Sequence, residues 1–457
     1  MRAHSDFGGQ SSSNRREDRS RSLSITSAFD VFSCVRLSPA RVFYVLETDT
    51  GASRPHANLW DFAARFIGMR FAIYMAGRVY SSLSEVGIKG LLGVYQGQAM
   101  NILSNFFSDD LAIDLGTMNT LIYAPERGVV LNEPSVVAIH KYTGEVLSVG
   151  AEAYKMVGRA PKDAEVFRPV KGGTIDNFEA TEKMLVAFIR RVHGNQNKRS
   201  HMVIGVPGSS TTLEQRSVRD AARDAKATRV DLVDEGLAAA LGAGLSYQDE
   251  RAHLVVDIGG GTTNIAIVAS AAIVSSSSLR VAGNAMDEAI REYVRGKYEM
   301  QIGERTAEQV KKELGARRAS DNNKAEVRRM EVVGKELTSG LAKAVEVGSD
   351  EVREALEPVL SEIVAGARRT IEESQPDVTA DIYQTGLILT GGGALLDGMA
   401  ERLQTELRLH VTVADDPLAA VALGAGRLLA DPERLQRAAI REDVPVWQGS
   451  EELVVNW

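Results

Sequence analysis

Two short passages 143 positions apart follow the same plan, and no other feature narrows the fold as far. Leu111-Ala-Ile-Asp114-Leu115 runs into Gly116-Thr117-Met118-Asn119 and then Thr120-Leu-Ile-Tyr123. Leu254-Val-Val-Asp257-Ile258 runs into Gly259-Gly260-Gly261-Thr262-Thr263-Asn264 and then Ile265-Ala-Ile-Val268. Each apolar run ends on an aspartate, a Gly/Thr turn follows, and a second apolar run returns. That pattern predicts strand, tight turn, strand, and its recurrence points to internal duplication.

The composition of the turns suits phosphate. Glycines let backbone N–H groups approach phosphate oxygens, and the hydroxyls of Thr117, Thr262 and Thr263 can donate beside them. Asp114 and Asp257, at the strand ends, suit a hydrated Mg²⁺, which keeps its waters and prefers carboxylate oxygen. A single Asp-x-Gly turn is ordinarily a plain hairpin. Three consecutive glycines weaken a strand without serving packing, and two facing hairpins would clamp a polyphosphate from both sides.

A third cluster, Leu387-Ile-Leu-Thr390-Gly391-Gly392-Gly393-Ala394-Leu395, again ends a strand in glycines, with a helix expected over 396–407. A helix start offers free N–H groups to a nucleotide; the alternative is a tight strand-to-helix turn. None of these glycines leads into Gly-Lys-Ser/Thr, and no Gly-x-Gly-x-x-Gly is present. The glycine clusters are therefore neither a Walker A loop nor a Rossmann dinucleotide turn.

Met202-Val-Ile-Gly-Val-Pro207 predicts a strand closed by proline, followed by Thr211-Thr212-Leu213-Glu214 and a helix with a small and apolar stripe. Thr211 and Glu214 have the spacing of a capping box. Glu214 is either that cap or a group that orients water for attack on a phosphate. The stretch 307–314, which includes Glu308, Gln309, Val310 and Lys311, reads as an amphipathic helix with ion-pair spacing.

Together these pieces resemble the actin-like ATPase superfamily, and within it the bacterial rod shape-determining branch. The likeness is carried by Asp114-Leu-Gly-Thr-Met-Asn-Thr-Leu-Ile-Tyr123, Val130-Leu-Asn-Glu-Pro-Ser-Val-Val-Ala138 and Thr181-Glu-Lys-Met-Leu185. It continues through Asp257-Ile-Gly-Gly-Gly-Thr-Thr263, Thr390-Gly-Gly-Gly-Ala-Leu-Leu396 and Ala414-Asp-Asp-Pro-Leu418, and covers about residues 100–435.

The resemblance implies an α/β chain with two duplicated αβ domains around a nucleotide cleft, each with a small inserted subdomain. The first domain would take residues 109–248 and 411–435, with its small subdomain at about 135–168. The second would take 249–410, with its small subdomain at about 285–350, and 436–457 would form a tail. ATP with Mg²⁺ would be held by Thr117, Met118 and Asn119, by Gly260, Gly261 and Thr262, by Glu308 to Lys311, and by Gly392, Gly393, Ala394 and Leu395. Asp114 and Asp257 would organise the ion through water, and Glu214 would position the attacking water. There are departures: Gln215-Arg216 replaces two arginines, Asp234-Glu235-Gly236 replaces Glu-Glu-Pro, and Met118 stands where alanine is common.

Residues 1–99 differ from the rest. Their net charge is +4 in a chain whose total is −8, and they hold 12 of the 26 aromatic residues and the single cysteine, Cys34. No intramolecular disulfide is possible, and the acidic balance speaks against nucleic acid as a partner. The Ser/Arg-rich start predicts disorder. Three readings are open for this stretch: a start codon placed too early, with Met100 as the natural beginning; a genuine, mostly disordered extension; or a small folded module.

Ile102, Leu103, Phe106 and Phe107 form a short apolar segment. It either packs on the domain edge or inserts into a membrane interface, the role the resemblance implies. The resemblance further implies homopolymer filaments in antiparallel pairs, on the inner face of the cytoplasmic membrane. It implies slow ATP hydrolysis coupled to assembly, and work with cell-wall elongation and other cell-shape proteins. A small-molecule kinase or a chaperone-type ATPase is the rival expectation. The chaperone would need a peptide-binding domain, yet only 28 residues follow Leu429.

Overall fold

The computed structural model describes residues 110–194, 200–315 and 327–441. The expected extension, the apolar segment with Ile102, Leu103, Phe106 and Phe107, and most of the expected tail lie outside the described residues.

The chain opens with a meander, β1 (Leu111–Leu115), β2 (Asn119–Ala124) and β3 (Gly128–Pro134). A small three-stranded sheet follows, β4 (Val137–His140), β5 (Val146–Val149) and β6 (Ala164–Phe167), with α1 (Ala151–Lys155) inside it. The two-stranded ribbon β7 (Val170–Lys171) and β8 (Thr174–Ile175) leads to α2 (Phe178–His193). Next come β9 (Ser200–Val206), α3 (Thr212–Asp224), β10 (Ala227–Asp234) and α4 (Glu235–Gly242).

The second half restarts with β11 (His253–Ile258), β12 (Thr263–Ala269) and β13 (Ala272–Leu279). Then come α5 (Gly283–Tyr298), β14 (Met300–Gln301), α6 (Glu304–Leu314), β15 (Arg329–Glu336) and β16 (Ala342–Gly348). They are followed by α7 (Ser349–Glu372), α8 (Pro376–Thr385), β17 (Leu387–Thr390), α9 (Met399–Leu407), β18 (Val411–Val413), α10 (Ala420–Leu429) and α11 (Pro432–Ala438).

The duplication is visible in the sheets. The first five-stranded sheet has the order β10-β9-β1-β2-β3, the second β13-β12-β11-β17-β18. Each is an antiparallel meander whose first strand pairs in parallel with a later one, β1 with β9 and β11 with β17. Asp114 stands opposite Gly205, and Asp257 stands opposite Thr390. The two aspartates thus occupy equivalent places, at the carboxyl ends of strands where open α/β sheets bind ligands.

The central strands are apolar on both faces, as strands covered on both sides must be. Leu111, Ile113, Met202 and Ile204 face a core with Met184, Leu185 and Phe188 of α2. Leu254, Val256 and Ile258 face another with Met286 and Ile290 of α5 and Leu360 and Ile363 of α7. A third cluster joins Ala112 and Val203 of the first sheet to Val255 and Ala266 of the second through α4 and α10. These two helices cross on glycine: a Cβ on Gly242 would collide with the Ala420 carbonyl, and one on Gly424 with that of Ala238.

Candidate functional site

Both glycine turns are held from behind by backbone and hydroxyl bonds. Ser135 Oγ donates to the Gly116 carbonyl at 2.6 Å and lies 2.9 Å from Thr120 Oγ1, while the Ser135 N–H donates to the Met118 carbonyl. In the second turn the Gly259 N–H donates to the Thr262 carbonyl, and the Asn284 N–H to that of Gly260 at 2.7 Å. The turns then pack against each other. The place of a Cβ on Gly260 is taken by Met118, and that on Gly261 by Thr117. Only glycine permits this approach. Thr117 Oγ1 also accepts from the Gly173 N–H at 3.1 Å, which ties in the β7–β8 ribbon.

Between the domains lies a cavity of about 460 Å³, a size that suits a small ligand. Asp114, Thr117, Met118 and Asn119 line it from one side, and Asp257, Gly260, Gly261 and Thr262 from the other. Glu308 and Lys311 of α6, with Gly392, Gly393 and Leu395, complete the lining.

The floor is acidic. Asp257 accepts from Thr390 Oγ1 at 2.9 Å, and Glu235, at the start of α4, accepts from Asn264 Nδ2 at 2.6 Å. Burial first, and the charge of Asp257 second, push Asp114 up to about 7. Burial pushes Asp257 up to about 6, against the pull of Thr390 and Asn264. Glu235 is raised by burial and then by Asp114 and Asp257. Three carboxylates that disfavour one another's ionised forms suit a cation between them. Their all-oxygen chemistry suits a hard ion such as Mg²⁺. Among the described residues no three acidic, His or Cys side chains gather closely enough to ligate an ion directly.

Lys311 brings a cationic side chain to the cavity lining. Its Nζ lies 2.8 Å from Asp287 Oδ1 and donates to the Gly283 carbonyl at 2.9 Å. Glu308 pairs with Lys312 at 2.6 Å, one helical turn along.

Several expected site residues do not line the cavity. Val310 is fully buried in the second domain's core and Gln309 faces solvent. On α6 the cleft face is 308, 311 and 312, as helical spacing requires. Ala394 is turned into the same core as Val310. The helix expected from Leu396 begins only at Met399; the glycines enter a short 3₁₀ turn, Gly392–Leu395, instead. The strand-to-helix turn is thus made by that tighter element, with Gly391 at φ 79°.

Glu214 stands outside the cavity lining, in the capping box. Its Oε2 accepts from the Thr211 N–H at 2.7 Å, and Oε1 lies 3.5 Å from Arg280 Nη2 of the second domain. Leu213, in the first turn of α3, is exposed.

Sequence reasoning missed Glu235, Gly173, Met286 and Lys312, all of which line the cavity. For Glu235 a signal existed: an acidic pair closes the apolar run Leu232-Val-Asp-Glu235, just before an alanine-rich helix.

Comparison with known proteins bears on this cleft. The chain is 44% identical over 329 residues to the cell shape-determining protein MreB of Escherichia coli K12, covering 71% of this chain and 94% of that one. It is 42% identical over 333 residues to the cell shape-determining protein Mbl of Bacillus subtilis 168, covering 72% and 98%. The crystal structure of Spiroplasma citri MreB5 bound to ADP superposes with a TM-score of 0.66 at 34% identity, over 72% of this chain and 97% of that one. MreB5 bound to AMPPNP matches with the same TM-score at 32% identity, over the same shares. The duplicated sheets and the cleft between them are the actin-like ATPase fold. The family model for MreB/Mbl protein matches residues 108–437, both domains and the cleft they enclose, and the chain belongs to that family.

Proposed function

We propose that this chain binds ATP with Mg²⁺ in the interdomain cleft, hydrolyses it slowly, and couples nucleotide state to assembly into filaments. The observation that carries the reading is the convergence of Asp114, Asp257 and Glu235 beneath interlocked glycine turns in one cavity. Thr117, Met118, Asn119, Gly260, Gly261 and Thr262 would receive the phosphates through backbone N–H groups and hydroxyls. Glu308, Lys311, Gly392, Gly393 and Leu395 would enclose the nucleoside. Bound Mg²⁺ would supply charge neutralisation at the phosphates, with Asp114 and Asp257 holding it through water. Glu214 would position the attacking water once it leaves its cap.

The relatives' names add the cellular role. Escherichia coli MreB and Bacillus subtilis Mbl are named cell shape-determining proteins. By that likeness this chain would form filaments, in antiparallel pairs, on the inner face of the cytoplasmic membrane. There it would organise cell-wall synthesis and maintain rod shape together with cell-wall elongation proteins. Among the described residues no helix is long and apolar enough to cross a membrane. Attachment would be peripheral, through Ile102, Leu103, Phe106 and Phe107, and filament avidity would multiply a weak anchor.

The test is pelleting of the full chain with and without ATP·Mg²⁺, and with and without liposomes of mixed anionic and neutral lipid. Pelleting that requires nucleotide and rises with lipid is the expected result. A protein that binds ATP yet stays soluble and monomeric in all four conditions would sink the filament reading and favour a small-molecule kinase.

A further inference from the structure

Across the mouth of the cleft, the small sheet unit of the first domain reaches α6 of the second. Tyr154, on α1, donates from Oη to Glu308 Oε2 at 2.5 Å. Arg168, one residue beyond β6, places Nη2 2.6 Å from Glu304 Oε1. The guanidinium carbons of Arg168 and Arg305 each lie 5.4 Å from the centroid of the Tyr154 ring. The Arg168 side chain is 15% exposed and that of Glu308 17%, whereas Glu304 is 38% exposed, so the Tyr154–Glu308 bond is the better shielded of the two. Burial and the carboxylate partner raise the Tyr154 hydroxyl, which keeps its proton available to donate.

Both contacts connect to residues that line the cavity. Glu308 lines the cavity itself. Arg168 Nη1 lies 3.6 Å from the Sδ of Met118, the residue that interlocks the two phosphate turns. The domains cannot part at this mouth without breaking a charge-assisted hydrogen bond and a half-buried ion pair, the stronger kinds of polar contact.

We infer that Tyr154 and Arg168 are positioning residues, forming a clasp on Glu308 and Glu304 that sets how long a nucleoside di- or triphosphate stays in the cleft. This inference rests on the nucleotide-binding reading and adds to it the residues that govern release. Closure of the clasp orders Glu308 against the ligand and bars the exit. Its opening is the step that precedes release.

The test measures association and dissociation of a fluorescent ADP analogue with Mg²⁺ on the full chain, chased with excess ATP. Tyr154→Phe removes only the donor, and dissociation is expected to speed about tenfold, which corresponds to about 1.4 kcal/mol. Arg168→Gln and Glu304→Gln should each speed dissociation several-fold. The double variant should match the singles rather than their product, because the two act through one pair. A fold defect would instead lower the fraction of protein that binds, leaving the dissociation rate of the remainder unchanged. Parental dissociation rates in Tyr154→Phe, or multiplicative effects in the double variant, overturn the clasp. Failure of the parent chain to bind the analogue overturns the nucleotide reading itself, and the clasp with it.

Discussion

Met118 and Gly260 meet across the cleft with no room for a Cβ on the glycine, because the Met118 side chain already fills that place. The first glycine turn therefore carries a large flexible side chain that fits only because the second turn has none at the contact. Gly260→Ala should separate the turns and weaken ATP binding by about tenfold or more, about 1.4 kcal/mol. Met118→Ala, added to it, removes the atoms nearest the new methyl and should recover part of the loss. The Met118 Cβ and backbone still crowd the position, so recovery should be incomplete. Calorimetric titration of the three variants checks this; full affinity in Gly260→Ala would show that the turns do not need to interlock.

Glu214 has two roles to separate. Its carboxylate accepts from the Thr211 N–H in the capping box, and a carboxamide oxygen can do the same. Glu214→Gln should thus keep the melting temperature and ATP binding and lose most hydrolysis. Glu214→Ala should lose hydrolysis and about 1 kcal/mol of stability as well, the usual worth of a cap. Phosphate-release assays beside thermal melts decide. Hydrolysis at the parental rate in both variants would leave Glu214 as a cap alone.

The crossing of α4 and α10 sets the spacing of the two sheets. A Cβ on Gly424 would strike the Ala238 carbonyl, and backbone cannot yield as a side-chain tip can. Gly424→Ala should cost about 3 kcal/mol or more, at the upper end for overpacking. Gly296→Ala meets nothing within 4 Å inside a helix and should be neutral or slightly stabilising. Equal melting temperatures for these two variants would argue against a tight crossing.

Sequence reasoning reached the two aspartates and the glycine turns because their signal is local. An apolar run, an acid and several glycines leave little else for the backbone to do. It reached Glu308 and Lys311 but carried Gln309 and Val310 along, treating a helical stretch as continuous. The three-to-four spacing from Glu308 selects Lys311 and Lys312, which is the face the structure turns to the cavity. Ala394 turns into the core because it sits in the 3₁₀ turn Gly392–Leu395, ahead of the helix expected from Leu396. Glu235 and the Tyr154–Glu308 bond were not legible for a different reason. Their meaning lies in contacts with residues far away in the chain, 154 positions in the latter case, and no local pattern encodes which acid will be buried beside which.

The acidic floor makes a prediction about pH. Asp114 and Asp257 have ordinary values of 3.8 and are raised to about 7 and about 6 in the folded chain. Between about pH 4 and 7 the folded chain therefore holds protons that the unfolded chain has released. Stability of the nucleotide-free protein should fall as pH rises through that window, the sign that linkage gives when the native state binds more protons. Asp114→Asn removes one charge and the repulsion it exerts on Asp257 and Glu235. The variant should be more stable than the parent at pH 8, by on the order of 2 kcal/mol, and the gap should close as pH approaches 4. Mg²⁺ with nucleotide should narrow the gap at pH 8 by stabilising the ionised carboxylates of the parent. Thermal melts of both proteins across this range, with and without ATP·Mg²⁺, test it. A gap that does not change with pH would mean that Asp114 is ionised at no cost in the empty cleft, and that the carboxylates need no cation to offset their burial.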